Sequence, residues 1–282
     1  MNSQNIVGSR WITECDPDLR ITELMIPGTH DSATSTCYER YYRTQDLSLA
    51  EQLDCGVRFL DIRLRREMVA AHREWISDIS AEEIFEKCGE FLQKNPQEFV
   101  LMRIQNANEQ KDDFPEYAEA LLSKVQQYKS LFYAWDKSQI AQDGNPIWPR
   151  IAQAAGKIIP IECAPPNMLV NKINGDLWAA NWHENAQILL QDLWNGPTLE
   201  EKSLAIKSLV EQSGIVDLDK LLLNHISATN GELQYPDAYA EQLNKYASQL
   251  WQQLAKRSFR GIQIYDFINP SICQELLRLN FA

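Results

Sequence analysis

Gly56-Val-Arg-Phe-Leu-Asp61-Ile-Arg63-Leu64 is the stretch on which the fold turns. From Phe59 onward its side chains alternate. Leu60, Ile62 and Leu64 take one face of a strand, and Asp61 and Arg63 share the other. The apolar face suits packing under helices. An Asp and an Arg on an inward face are costly unless they pair with each other or are used. A structural ion pair and a functional pair both fit at this point.

Outward from this strand, short apolar runs recur at 21–26, 68–71, 99–104, 157–161, 188–190, 221–226 and 262–268, each of about strand length. Helix signals lie between several of them. Ser80-Ala-Glu-Glu83 is a capping box ahead of the stripe Ile84, Phe85, Cys88, Phe91 and Leu92. Thr198-Leu-Glu-Glu201 is a second box, with Gly214 placed to cap the far end. Leu243, Ala247, Leu250 and Leu254 form a third stripe after Pro236. About eight strands alternating with helices predict a parallel α/β sheet, and at 282 residues its natural closure is a TIM-type (β/α) barrel. No linker or repeat divides the chain, so residues 1–282 are expected to form a single domain.

Composition narrows the partners. The net charge of −12 argues against nucleic acid, whose affinity comes from neutralising phosphates, and against electrostatic docking on an anionic membrane. The first ten residues have neither a basic nor an apolar leader segment, which predicts a protein that is cytoplasmic or exported by a leaderless route. The six cysteines form no C-x-x-C pair and read as reduced packing residues. The eight tryptophans read as core rather than as membrane-interface anchors.

In a barrel the chemistry lies at the C-terminal ends of the strands. Strand one runs into Ile26-Pro-Gly-Thr-His30-Asp31-Ser32, where Pro-Gly signals an immediate turn that presents His30 and Asp31. Strand three ends at His72, strand six at Gln191-Asp192, strand seven carries Asn224-His225, and strand eight brings Asp266 into phase with Ile262 and Ile264. Each has a bland reading: His30 as a turn residue, His72 as a satisfied core histidine, Asp266 as a helix cap. Ser32 reads as a cap, since no G-x-S-x-G elbow surrounds it, and His183 as a surface loop residue. Convergence of two histidines, an arginine and several carboxylates on one end favours function.

At these residues the chain resembles the bacterial phosphatidylinositol-specific phospholipase C family. The block Ile26-Pro-Gly-Thr-His-Asp-Ser32 resembles its signature, and Gly56 to Arg63 resembles its glycine-to-Asp-x-Arg strand. Asn95-Pro-Gln-Glu98, Leu190-Gln-Asp192, Asn224-His-Ile-Ser227 with Asn230-Gly231, and Tyr265-Asp266-Phe-Ile-Asn269 match further blocks in order. The resemblance implies a distorted, incompletely closed barrel and cleavage of a phospholipid to diacylglycerol and a cyclic inositol phosphate. It implies His30 as general base, oriented by Asp266, and His72, helped by Asp31, as general acid. Arg63 would bind the phosphate in the place that calcium takes in eukaryotic relatives, so no metal and no other cofactor is expected. Asp61 would hold the site, and Asp192 would bind the sugar hydroxyls.

Three positions depart from the family pattern and alter the substrate contacts. Arg73 follows His72 where glycine is usual, Gln105 stands where some members place an inositol-binding lysine, and Glu162-Cys163 stands where a Lys-Arg pair is found. The expected partner is a phospholipid or inositol phosphodiester, met by a monomer in transient contact with a membrane surface. Two other classes compete: a metal-dependent glycerophosphodiester phosphodiesterase or sphingomyelinase D-like enzyme, and a headgroup-binding barrel without activity.

Overall fold

The computed structural model describes residues 6–108, 114–142, 144–164, 170–254 and 259–281. Its strands are β1 (Met25–Thr29), β2 (Phe59–Leu64), β3 (Val69–His72), β4 (Trp75–Ser80), β5 (Val100–Asn106), β6 (Ile158–Glu162), β7 (Lys172–Ile173), β8 (Asp176–Leu177), β9 (Ala180–Asn181), β10 (Ile188–Gln191), β11 (Leu221–His225) and β12 (Gly261–Tyr265). The α-helices are α1 (Leu49–Cys55), α2 (Ala81–Lys94), α3 (Phe114–Gln127), α4 (Ile151–Ala154), α5 (Leu199–Gln212), α6 (Pro236–Gln253) and α7 (Pro270–Leu277).

Eight strands pair in parallel in the order β10-β11-β12-β1-β2-β5-β6-β9, so the curled sheet returns on itself where β12 meets β1. Among the described residues β9 and β10 share no ladder, and the barrel is left open at that seam. The alternation read in β2 runs through the sheet. Ile26, Phe59, Leu101, Ile161, Leu223 and Ile264 point inward and form one buried cluster, closed from below by Trp11. Leu60, Ile62, Leu64, Met102 and Ile104 point outward and pack with helix residues such as Leu53, Ile84 and Leu243. Above the inner apolar layers the inward positions become Arg63, Arg103 and His225, so the strands' C-terminal ends carry the polar groups.

Both capping boxes are present. The Ser80 side chain accepts from the Glu83 N–H, and Thr198 accepts from Glu201. α5 nevertheless ends at Ser213, and Gly214 lies in the following turn without left-handed backbone. Four further expectations need correction. Residues 21–23 form a 3₁₀ turn, so the first strand starts only at Met25. Pro27-Gly28 is no turn but the middle of β1, where a Cβ on Gly28 would lie 2.9 Å from Ile262 Cγ2 and 3.1 Å from Phe59 Cβ. The chain turns later, at Asp31, with φ of 44°. The run 68–71 is not a barrel strand: β3 pairs antiparallel with β2 and β4, because four residues after Leu64 leave no room for a crossover helix. The eighth barrel strand is β9, only two residues long.

The bottom of the barrel is closed by Arg58 and Glu98, both wholly buried and 2.8 Å apart. Arg58 also donates to the carbonyls of Leu53, Val57 and Gly8, and Glu98 accepts the backbone N–H and the hydroxyl of Thr13.

Candidate active site

The turn after β1 is built to hold two side chains upright. The His30 N–H donates to the Tyr265 carbonyl at 2.9 Å, and Gln45 Nε2 donates to the carbonyls of His30 and Tyr265. Ser32 Oγ accepts from the Asp61 N–H at 2.8 Å, which ties the turn to β2. Ser32 is therefore a structural tie between β1 and β2 rather than the cap that the sequence suggested. His30 and Asp31 stand above that tie, at the mouth.

A cavity of about 130 Å³ opens there. His30, Arg63, His72, Arg73, Gln105, Asp192 and Asp266 all line it, and Asp31 and Asp61 lie buried beneath. The structure thus brings together the nine residues given a site role from the sequence.

At the centre, Arg63 NH2 lies 2.7 Å from His30 Nε2 and 3.1 Å from Asp61 Oδ2, while its NH1 lies 3.3 Å from Asp31 Oδ2. A guanidinium can only donate, so His30 Nε2 must carry a lone pair. The ring proton then sits on Nδ1 and is donated to Asp266 Oδ1 at 2.8 Å. Burial, followed by Arg63, holds the His30 pKa well below the ordinary histidine value. Burial, reinforced by the charge of Asp31, pushes Asp266 well above the carboxylate range, and Arg63 opposes that shift. The Arg63 contact decides between the two: the unprotonated Nε2 requires Asp266 to accept.

His72 stands across the mouth, with its ring centroid 6.1 Å from that of His30. Its Nδ1 donates to the Tyr42 carbonyl at 2.7 Å and lies 3.1 Å from Asp31 Oδ2. Burial, then Arg63, lowers the His72 pKa to about 3. Burial raises Asp31 to about 7 against the pull of Arg63. Asp31 therefore still holds a proton, next to His72, just below neutral pH. Burial alone would raise Asp61 too, but Arg103 and Arg63 outweigh it and keep this carboxylate ionised.

The rim carries Arg73, whose backbone is left-handed with φ of 53°. That conformation explains why glycine is usual there in the resembling family. Its guanidinium lies 5.4 Å from the Tyr41 ring and 5.8 Å from that of Trp194. Gln105 Oε1 is buried without a hydrogen-bond partner in the protein. Asp192 Oδ1 lies 3.7 Å from His225 Nδ1.

Sequence reasoning placed His225 at a strand end without giving it a role, and gave no place in the site to Arg103, Trp194 or Tyr42. Arg103 is 6% exposed, donates from NH1 to Asp61 Oδ1 at 3.1 Å and from NH2 to Cys163 Sγ at 3.1 Å. Its inward parity with Gln105 was a usable signal. His225 lines the cavity 5.9 Å from the His30 ring. Trp194 lines it from the loop after β10, 39% exposed and unlike the six buried tryptophans. Tyr42 acts through its backbone carbonyl and leaves no mark in sequence. Among the described residues no group of three His, Cys, Asp or Glu side chains is arranged to hold a metal ion.

The comparisons with known proteins agree with this geometry. The chain is 29% identical to the 1-phosphatidylinositol phosphodiesterase of Listeria monocytogenes, over 98% of its own length and 86% of that protein's. A 1-phosphatidylinositol phosphodiesterase of Staphylococcus aureus is 22% identical over 87% of this chain and 82% of that one. The solved phosphatidylinositol-specific phospholipase C from Listeria monocytogenes superposes with a TM-score of 0.87 at 26% identity, over 98% of this chain and all of that one. The sequence pattern of the PI-PLC X family matches residues 17–159, just over half of the chain, from ahead of β1 into β6, and the chain belongs to that family.

Proposed function

We propose that this protein is a phosphodiesterase of the phospholipase C type that cleaves phosphatidylinositol to diacylglycerol and a cyclic inositol phosphate without a metal ion. One observation carries the reading: His30 and His72 face one cavity from two sides, 6.1 Å apart, with the Arg63 guanidinium between the carboxylates beneath them. Attack by a neighbouring hydroxyl needs a base on one side of phosphorus and an acid on the other. Arg63 between them meets the phosphoryl oxygens. The similarity to proteins named 1-phosphatidylinositol phosphodiesterase supports the substrate.

The roles follow from the hydrogen bonds. Arg63 occupies His30 Nε2. An arriving phosphodiester draws the guanidinium to its own oxygens and frees that lone pair to take the proton of the inositol 2-hydroxyl. Asp266, already accepting from Nδ1, steadies the imidazolium that forms. The same anion offsets the charge of Arg63, which otherwise depresses His72. The proton of the Asp31–His72 pair can then sit on His72 Nε2, while Nδ1–H stays with the Tyr42 carbonyl beside Asp31, and pass from Nε2 to the leaving glycerol oxygen. Asp61 fixes Arg63 from below. Asp192, Gln105 and Arg73 line the part of the cavity left for the headgroup, and Trp194 offers a flat apolar wall to its ring.

The lipid must enter from a surface, and the exposed side chains Tyr38, Leu193 and Trp194 lie on the strand-end loops that would meet it transiently. The test is turnover of phosphatidylinositol in mixed micelles with and without EDTA, reading both product phases by mass spectrometry. Diacylglycerol with cyclic inositol phosphate, unchanged by EDTA and absent in His30→Ala, is the expected result. Turnover abolished by EDTA would transfer the role of Arg63 to a metal and overturn the mechanism.

A further inference from the structure

Three of the chain's four histidines meet at the mouth, yet the chemistry uses two. The third, His225, is 2% exposed and makes edge contacts on both sides. Its ring lies 5.9 Å from His30 at 76° and 6.2 Å from Trp182 at 82°. Trp182 in turn carries the Arg103 guanidinium on its face, 4.2 Å from the ring centroid. Arg103 ion-pairs with Asp61, the residue opposite it in the β2–β5 register. Asp61 pairs with Arg63, and Arg63 donates to His30. The contacts close into a ring of six residues: His30, His225, Trp182, Arg103, Asp61, Arg63.

We propose that Arg103, Trp182 and His225 are positioning residues that hold the general base and the phosphate-binding arginine in register through this closed ring. The inference rests on His30 acting as the base. His30 pivots on β1 and would swing about its Cβ if held by Asp266 alone. The His225 edge blocks rotation on one side, and Arg63 blocks it on the other. Arg63 is a long side chain whose position depends on Asp61, and Asp61 takes a second guanidinium on its other oxygen. A planar Arg at position 103 meets three demands at once: Asp61, Cys163 and the face of Trp182. A lysine meets only the first. Arg103, Trp182 and His225 act through His30 and Arg63, and together they leave the base one orientation.

A ring differs from a set of independent supports in one measurable way. Opening it at one link releases the rest, so a second cut costs little more. Arg103→Met and His225→Leu are each expected to lower kcat on phosphatidylinositol micelles by about ten- to a hundredfold, the cost of a small misplacement, with KM nearly unchanged. The double variant is expected to be no slower than the worse single one. Arg103→Lys should recover part of the loss. The acid limb of the kcat/KM profile should also move to higher pH in both single variants. Arg63, released from Nε2, no longer opposes its protonation, while Asp266, His72, Asp31 and Asp61 still face His30. Should Arg103→Met fail to fold, Trp182→Phe paired with His225→Leu carries the same cycle. Losses that multiply in the double variant, or a raised KM with unchanged kcat, would overturn the proposal. A wild type inert toward phosphatidylinositol in which His30→Ala changes nothing would instead refute the functional reading. In that case the ring is read by NMR, as loss of the single His30 tautomer in Arg103→Met and in His225→Leu; a tautomer kept in both overturns it.

Discussion

Arg58 and Arg63 sit five residues apart at the two ends of one strand, and they live in opposite worlds. Arg58 is wholly buried, and all three of its nitrogens have partners: Glu98 and the carbonyls of Leu53, Val57 and Gly8. Arg63 keeps 20% of its side chain exposed, its Nε is unpartnered, and one of its contacts is a histidine lone pair that chemistry must take away. Asp31 Oδ2, Arg103 Nε, Gln105 Oε1 and His225 Nε2 around it are also buried without hydrogen-bond partners. The bottom of the barrel is a satisfied network and the top is an under-satisfied one. Satisfied buried charges hold a fold together, and under-satisfied ones are poised to meet a ligand.

Substitution breaks this contrast in opposite directions. Arg63→Ala should lower kcat by two to three orders of magnitude, on the order of what removing a transition-state donor costs. Its melting temperature should stay near that of the wild type, as steady-state kinetics and calorimetry will show. Glu98→Ala should do the reverse. It strands the Arg58 charge in the interior and should cost about 3–5 kcal/mol in urea denaturation, with kcat per folded molecule within about twofold of the wild type.

The pH dependence sharpens the contrast further. The His30 pKa is lowered, so its base form persists below pH 6.5, and kcat/KM should show no acid-side fall between pH 7 and 6. Asp31 is raised to about 7, so the proton it shares with His72 is lost as pH climbs through that value. The basic limb of kcat/KM should therefore lie near pH 7 and shift in Asp31→Asn. The same raised pKa means that folding must take up a proton at Asp31 between pH 4 and 7, so stability falls as pH rises through that window, and Asp31→Asn should gain melting temperature relative to wild type across it. The smallest effect is expected of Ser32→Ala. It removes the acceptor of the Asp61 N–H, costs about 1–3 kcal/mol of stability, and leaves turnover within severalfold, which a nucleophilic serine would not.

The top of the barrel was largely legible in the sequence because its residues interrupt apolar periodicity. Asp61 and Arg63 break the run of β2 in phase, and Asp266 follows two inward isoleucines. Arg103 interrupts β5 in the same phase, but the family resemblance points to Gln105 on that strand and gives Arg103 no counterpart. The hairpin β3–β4 was misread as a barrel strand, although the short connection after Leu64 forbids a parallel crossover. The two-residue β9 has no period to read. Trp182 and His225 had residue types that fit an ordinary core, and only the contacts among them give them a role.

The open seam has one more consequence. Among the described residues β9 and β10 share no ladder, so cutting the chain between them severs no strand pairing. At the other end of the chain Ile6 exchanges both backbone hydrogen bonds with the Gln274 amide on α7. The molecule is topologically a strip in which Ile6 lies against α7 and whose sheet edges, β9 and β10, lie mid-sequence. Circular permutation that joins residues near 6 and 281 and reopens the chain at 183–187 would turn this barrel into one whose sequence order runs from sheet edge to sheet edge.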